Sequence, residues 1–279
     1  VFFRAGSAAR YQGIGNTLVQ LIPSRSIGLM MRVQSAGKER FMASNKTAIV
    51  TGAQQGIGAG LVNGFVKSGY NVVATSLRAT ESLLSTPNLV VVDGDIRDQE
   101  TALRTVEAAV THFGTIDVLV NNAGIYITKP FTEFTTDDFN TLVSVNLLGF
   151  LHMTQLAVKQ MLGQHSGCVI SISAALADNP IAGVNASVSM ITKGGLNTVI
   201  RHLAIEYAKQ GIRFNAVAPG VVDTPLHKET PKGDLQALQP MGSVAEISDI
   251  VDAVLYLSSA RQVTGEVLHV DGGAHGGRW

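Results

Sequence analysis

The sequence predicts an α/β domain built on a single doubly wound parallel sheet, in three α-β-α layers. From Asn45 onward, short apolar runs alternate with segments of helical periodicity, the pattern of successive βαβ units. The first run, Thr47 to Thr51, ends in three spaced glycines, Gly52, Gly56 and Gly58, as a buried strand does when it turns tightly into a helix. The other polar and glycine-rich motifs fall at the carboxyl ends of later runs, where an open parallel sheet binds its ligands.

In chain order, the strand over 47–51 leads to a helix over 56–67, with Ile57, Leu61, Phe65 and Val66 on one face and Gly69 at its end. Strands follow over 71–75 and 89–93. A helix over 99–113 carries Leu103, Val106, Ala109 and Val110 as its inward stripe. After a short strand at Val118–Val120, residues 139–161 read as one long helix and 168–172 as a strand. A helix over 187–208, a strand over 213–218, a helix over 244–258 and a strand over 266–270 complete the sheet. The polar stretch 227–240, flanked by Pro225 and Pro240, reads as a short lid.

The chain of 279 residues is long enough for one large α/β domain, and no Pro/Ser-rich linker interrupts it after residue 45. Residues 45–279 are therefore taken as that domain and 1–44 as an N-terminal extension. The extension holds Arg4, Arg10, Arg25, Arg32, Lys38 and Arg40 but no acid before Glu39. Two readings stay open for it: a leader upstream of Met42, or an organelle transit peptide. The first goes with a cytoplasmic protein, the second with a mitochondrial one. Lys plus Arg and Asp plus Glu both total 21, so no excess positive charge points to nucleic acid or an anionic membrane. The expected partner is a small molecule. No uninterrupted apolar run spans a bilayer's thickness, which predicts a soluble protein with no membrane partner. The lone Cys168, inside an apolar strand, reads as a buried, inert thiol, and nothing suggests a metal site.

The glycine turn carries chemistry as well as geometry. Gly52 permits the sharp turn, Gly56 lets backbone approach a pyrophosphate, and Gly58 lets the helix pack closely on the strand. The helix start offers unpaired N–H groups and its positive dipole end to phosphates, with Gln54, Gln55 and Ile57 alongside. The spacing G-x-x-x-G-x-G departs from the G-x-G-x-x-G fingerprint. At the end of the second strand stand Thr75, Ser76, Leu77 and Arg78, with no acid to grip ribose hydroxyls or repel a 2′-phosphate. Ser76 and Arg78 can hold such a phosphate, so NADP(H) is expected over NAD(H), with NAD(H) possible.

T-G-x-x-x-G-x-G from Thr51, Asp95-Ile96 and then N-N-A-G at Asn121–Gly124 together resemble the short-chain dehydrogenase/reductase family, over roughly Asn45 to Gly273. The resemblance implies a Rossmann-like fold, hydride transfer with a nicotinamide cofactor, and a homodimer or homotetramer assembled through the two long helices. It implies that Asp95 meets the adenine amine and Ile96 covers a ring face. Asn121, Asn122, Ala123 and Gly124 would run beside the cofactor, and Asn121 would also stabilise the sheet, so both a binding and a structural role stay open for it. Pro219, Gly220, Val222 and Thr224, in P-G-V-V-D-T-P, would lie beside the nicotinamide.

The family's catalytic set is a Tyr, a Lys four residues later, a Ser and an Asn. Residues i and i+4 share a helix face, so the ammonium can lower the phenol's pKa. Here Lys193 and Asn146 match, but position 189 is Ser instead of Tyr. Ser171-Ile172-Ser173-Ala174 places Ala174 where the family has its catalytic serine; Ser173 takes that role only if the strand end shifts by one residue. The proton donor must then be atypical: Lys193 through a water, or Tyr126 beyond the N-N-A-G turn. Two other functions stay open: an ester or lactone hydrolase using a Ser189–Lys193 pair, and cofactor binding without turnover. Ile181, Val184, Met190, Val222 and Leu226 point to a small or medium apolar carbonyl or alcohol as substrate.

Overall fold

The structure, a computed structural model, describes residues 45–277. The expectation for residues 1–44 lies outside the described residues. Asn45–Trp279 is one compact unit. Its strands are β1 (Thr47–Thr51), β2 (Asn71–Ser76), β3 (Leu89–Asp93), β4 (Val118–Asn121), β5 (Gly167–Ile172), β6 (Ile212–Pro219) and β7 (Val267–Val270). All pair in parallel, in the order β3-β2-β1-β4-β5-β6-β7. The order reverses direction between β1 and β4, the switch point at which such sheets bind ligands.

The helices are α1 (Gly56–Lys67), α2 (Gln99–Phe113), α3 (Thr136–Val143), α4 (Gly149–Gln164), α5 (Ser187–Tyr207), the short α6 (Lys232–Gln236) and α7 (Ile247–Ser259). The two-residue period of the strands sorts side chains between two cores. Ala48 and Val50 of β1, with Ile170 of β5, pack with Leu61 and Phe65 of α1 and Val254 of α7. Ile49, Leu119 and Val169 face Met153 and Met161 of α4 and Ile200 of α5. Each such buried Val, Leu, Ile, Phe or Met side chain contributes about 1.5–3 kcal/mol.

Three sequence expectations change. Ala109 is buried and Val106 packs against the second core as expected, but Thr101, Ala102 and Thr105 are buried beside them and Val110 is 37 % exposed. The threonines tolerate burial because Thr105 Oγ1 donates to the Thr101 carbonyl, and Thr101 is the residue that closely approaches Gly94. The long helix expected over 139–161 starts earlier, at a capping box in which Thr135 Oγ1 accepts from Asp138 N–H and Asp138 accepts from Thr135 N–H. It is then interrupted by a π turn, Ser144–Leu148. Together Thr136–Gln164 is long enough to span a bilayer and contains an 18-residue window of mean hydropathy 1.4, although charged and polar residues interrupt it. Burial of its apolar face in the second core accounts for that composition. The last helix begins at Ile247, later than expected, where Asp249 accepts from Glu246 N–H.

Candidate functional site

The glycine turn is tied to the neighbouring strand tip. Gly52 and Gly56 have φ of +65° and +53°, a region that favours glycine. A Cβ on Gly58 would lie 2.0 Å from the Gly52 carbonyl oxygen, so the helix sits directly on the strand end. Asn122 Nδ2 donates to the carbonyls of Thr51 (2.9 Å) and Gly52 (3.1 Å). Thr51 Oγ1 accepts from the N–H groups of Asn122 and Ala123. No side chain caps the start of α1, whose first N–H groups are left for a ligand.

A cavity of about 570 Å³ opens along these tips. Its wall takes in Gly52, the run 54–58 (Gln54, Gln55, Gly56, Ile57, Gly58), Ser76, Asp95, Ile96, Asn122, Ala123, Gly124 and Thr224. Thr75 also lines it; its buried hydroxyl has no partner, a site for a ligand's hydrogen bond that the sequence reading did not single out. Asp95 is gripped by the Arg97 guanidinium at 2.6 Å, and that bond holds its carboxyl below the usual range. A glycine cradle at one end and an unpartnered hydroxyl beside Ser76 fit a dinucleotide's phosphates and ribose. Asn121 is structural as expected, its amide donating to Thr154 Oγ1.

Several predicted contacts lie elsewhere. Arg78 is outside the cavity wall, with its side chain 72 % exposed and 3.6 Å from Glu81. Lys193, which the family resemblance also places against the cofactor, and Pro219, Gly220 and Val222 are outside it as well. Pro219 ends β6, Gly220 backs onto Asp271, and Val222 turns into the core, so they support Thr224 from behind. Gln239, at the end of the predicted lid, is buried and donates to the Val221 carbonyl at 3.2 Å. That bond pins one end of the lid, and no local pattern announced it.

At the reacting end, Asn146 sits in the π turn, which swings its amide inward. Asn146 Oδ1 accepts from Ile125 N–H (2.8 Å), and Nδ2 donates to the Ile125 carbonyl and to Thr192 Oγ1. Lys193 Nζ donates to the Ile172 carbonyl at 2.9 Å. A Cβ on Gly124 would lie 3.2 Å from both Lys193 Nζ and Asn146 Oδ1, so both side chains come up behind Gly124, which lines the cavity. Burial alone pulls the Lys193 ammonium down to about 8.

The two serines are not arranged for catalysis. Ser189, fully buried, donates to the Ile127 carbonyl (2.8 Å) and accepts from Ile127 N–H (3.0 Å). With its hydroxyl bound to the loop and Lys193 bound to Ile172, no nucleophilic Ser–Lys pair forms, which removes the hydrolase reading. The strand end does not shift: β5 keeps register with β6 through Ile172, and the Ser173 hydroxyl donates to Asn197 Oδ1 at 2.5 Å, toward α5. Position 174 is alanine and offers no hydroxyl. Tyr126 is partly buried, and desolvation pushes its phenol above its usual value.

A second cavity, about 470 Å³, lies at the opposite strand ends beside Lys46, Asp117, Cys168 and Arg213. It holds none of these motifs, and Arg213 spends its guanidinium on the carbonyls of Leu257, Ser258 and Val263. Burial pushes the Cys168 thiol up to about 11, so it is inert as expected.

The family model described as enoyl-(acyl carrier protein) reductase matches residues 36–275. An uncharacterized oxidoreductase of Methylorubrum extorquens is 36 % identical over 244 residues, 82 % of this chain and 97 % of that protein. L-xylulose reductase of Mesocricetus auratus is 34 % identical, over 82 % of this chain and 96 % of its own. Among solved structures, ElxO with NADP bound aligns with a TM-score of 0.77 at 28 % identity, covering 84 % of this chain and all of that one. A 3-ketoacyl-(acyl-carrier-protein) reductase from Brucella melitensis complexed with NADH aligns with a TM-score of 0.77 at 30 % identity, covering 82 % and 98 %.

Proposed function

This chain belongs to the short-chain dehydrogenase/reductase family of nicotinamide-dependent oxidoreductases, and we propose that it reduces a small or medium apolar carbonyl, or oxidises the alcohol, with a proton donor other than residue 189. The observation that carries this reading is the single cavity that joins the glycine turn, Asp95-Ile96, the N-N-A-G loop and Thr224, with Lys193 and Asn146 both ending behind Gly124. The dinucleotide, when bound, supplies or accepts the hydride. Gly52, Gly56 and the start of α1 hold its phosphates, Thr75 and Ser76 its ribose, and Ile96 its adenine face.

NADP(H) is the preferred form, because β2 ends without an acid and Arg78, two residues past it, is exposed and held only by a surface pair with Glu81. The apolar side chains Met190 and Leu226 favour an apolar substrate. The chain works as a homodimer or homotetramer; Leu151 of α4 and Ile205 of α5, 44 % and 81 % exposed, suit helix-to-helix assembly. The test is oxidation of NADPH and NADH with a panel of cyclic and medium-chain ketones, beside fluorescence titration of both cofactors. Turnover with NADPH preferred is the expected result; binding without turnover on any ketone or alcohol would leave a cofactor-binding protein instead.

A further inference from the structure

We propose that Lys193 is itself the general acid of this site, giving its proton directly to the substrate oxygen; this rests on the oxidoreductase reading above. Most hydroxyl and amide protons at the reacting end are already engaged. The Ser189 O–H goes to the Ile127 carbonyl, the Ser173 O–H to Asn197 Oδ1 and the Thr192 O–H to the Ser189 carbonyl. The Asn146 amide donates to Ile125 and Thr192. Ser171 has an unpartnered hydroxyl, but it is fully buried within β5. Position 174 has no hydroxyl at all. Lys193 has three N–H bonds, and among the described residues one of them is used, to the Ile172 carbonyl. A Cβ on Gly124, a wall residue of the cavity, would lie 3.2 Å from Nζ, so the ammonium sits directly behind that glycine.

The groups about Nζ are uncharged: it donates to the Ile172 carbonyl from β5 and lies behind Gly124 of the loop, where Asn146 of the π turn also ends. Burial without an ion pair brings the ammonium to about 8, where an acid serves best near neutral pH. Tyr126 is the rival donor. Burial moves its phenol the other way, and no cation offsets that. In the reduction, the carbonyl carbon receives a hydride from the reduced dinucleotide and the carbonyl oxygen receives the proton from Nζ. The neutral amine regains a proton from water.

The experiment compares wild type with Lys193→Met, Lys193→Arg and Tyr126→Phe. Lys193→Met should lose about 10²–10⁴ in kcat, the usual worth of a positioned acid. Lys193→Arg keeps the charge but holds its proton, and should be equally slow. Tyr126→Phe should stay within about threefold. Small primary amines should restore turnover to Lys193→Ala, and the wild-type rate of reduction should fall as pH rises through about 8. Independently of turnover, the Cε resonance of Lys193 in cofactor-free protein should titrate near 8 by carbon NMR. Full activity in folded Lys193→Met or Lys193→Arg, loss of activity in Tyr126→Phe, or a titration near the ordinary 10.5 would each overturn the assignment. If wild type oxidises neither NADPH nor NADH, the oxidoreductase reading itself fails; if wild type turns over and the lysine variants do too, only this assignment does.

Discussion

Ser189 Oγ and the peptide of Ile127 exchange two hydrogen bonds, so the residue in the family's tyrosine position fastens the loop after Gly124 to α5. Asn146 grips the N–H and carbonyl of Ile125 in the same way. Tyr126 therefore stands between two clamped peptides. The loop occupies the space into which a side chain at position 189 would project.

Ser189→Ala should destabilise the protein by about 1–3 kcal/mol, the cost of leaving a buried donor and acceptor unpaired. Chemical denaturation measures this. A midpoint unchanged from wild type would mean that water replaces the hydroxyl.

Ser189→Tyr should not restore the family's chemistry. The site is fully buried and closed by Ile127, and overpacking it should cost about 1–3 kcal/mol or more. Thermal unfolding and NADPH oxidation measured together decide it. A gain in turnover with no loss of stability would show that the loop yields to the ring.

Gly58→Ala should be among the most damaging single-atom additions in the molecule, because its Cβ would fall 2.0 Å from the Gly52 carbonyl oxygen. The strand end and α1 must separate to admit it. Reduced thermal stability together with weakened cofactor binding is expected, whereas Gly69→Ala, at a φ of +81° with no neighbour near, should cost stability and spare binding.

Lys193 should also make stability depend on pH. Its folded pKa is lowered by burial to about 8, against an ordinary 10.5 for the unfolded chain. Between those values the unfolded chain binds more protons, so this lysine makes stability rise with pH across the window. Cys168, raised to about 11, acts in the opposite direction above about 9. The stability of wild type minus that of Lys193→Met cancels the thiol, and should increase as pH rises from 8 to 10 in urea denaturation. A constant difference would mean that the ammonium is not desolvated.

The sheet was legible in the sequence because each strand is a short apolar run whose alternate residues must serve two cores, as Ala48, Ile49 and Val50 do. The glycine turn was legible because Gly52, Gly56 and Gly58 each answer a local demand of φ or close packing. What was not legible depends on partners distant in sequence. Ser173 and Ser189 look like nucleophiles or proton donors until Asn197 and Ile127 are seen holding them. The π turn at Asn146 leaves the apolar pattern almost undisturbed, so it read as continuous helix. Thr75 gave no signal, since a threonine at a strand end is ordinary until its hydroxyl is found without a partner.

Arg78 tests the cofactor preference. Its surface pair with Glu81 is worth little, about 0–1 kcal/mol. A contact with a 2′-phosphate is worth more, about 1.5–3 kcal/mol. Arg78→Ala should therefore raise the Kd for NADPH about tenfold and leave that for NADH alone. Equal changes for both would take Arg78 out of recognition.

The most direct measurement is calorimetric titration of NADPH and of NADH into the wild-type protein and Gly58→Ala. The account predicts one site per chain in wild type, tighter for NADPH, and weakened in the variant. No heat from either dinucleotide at millimolar concentration in folded wild type would contradict it.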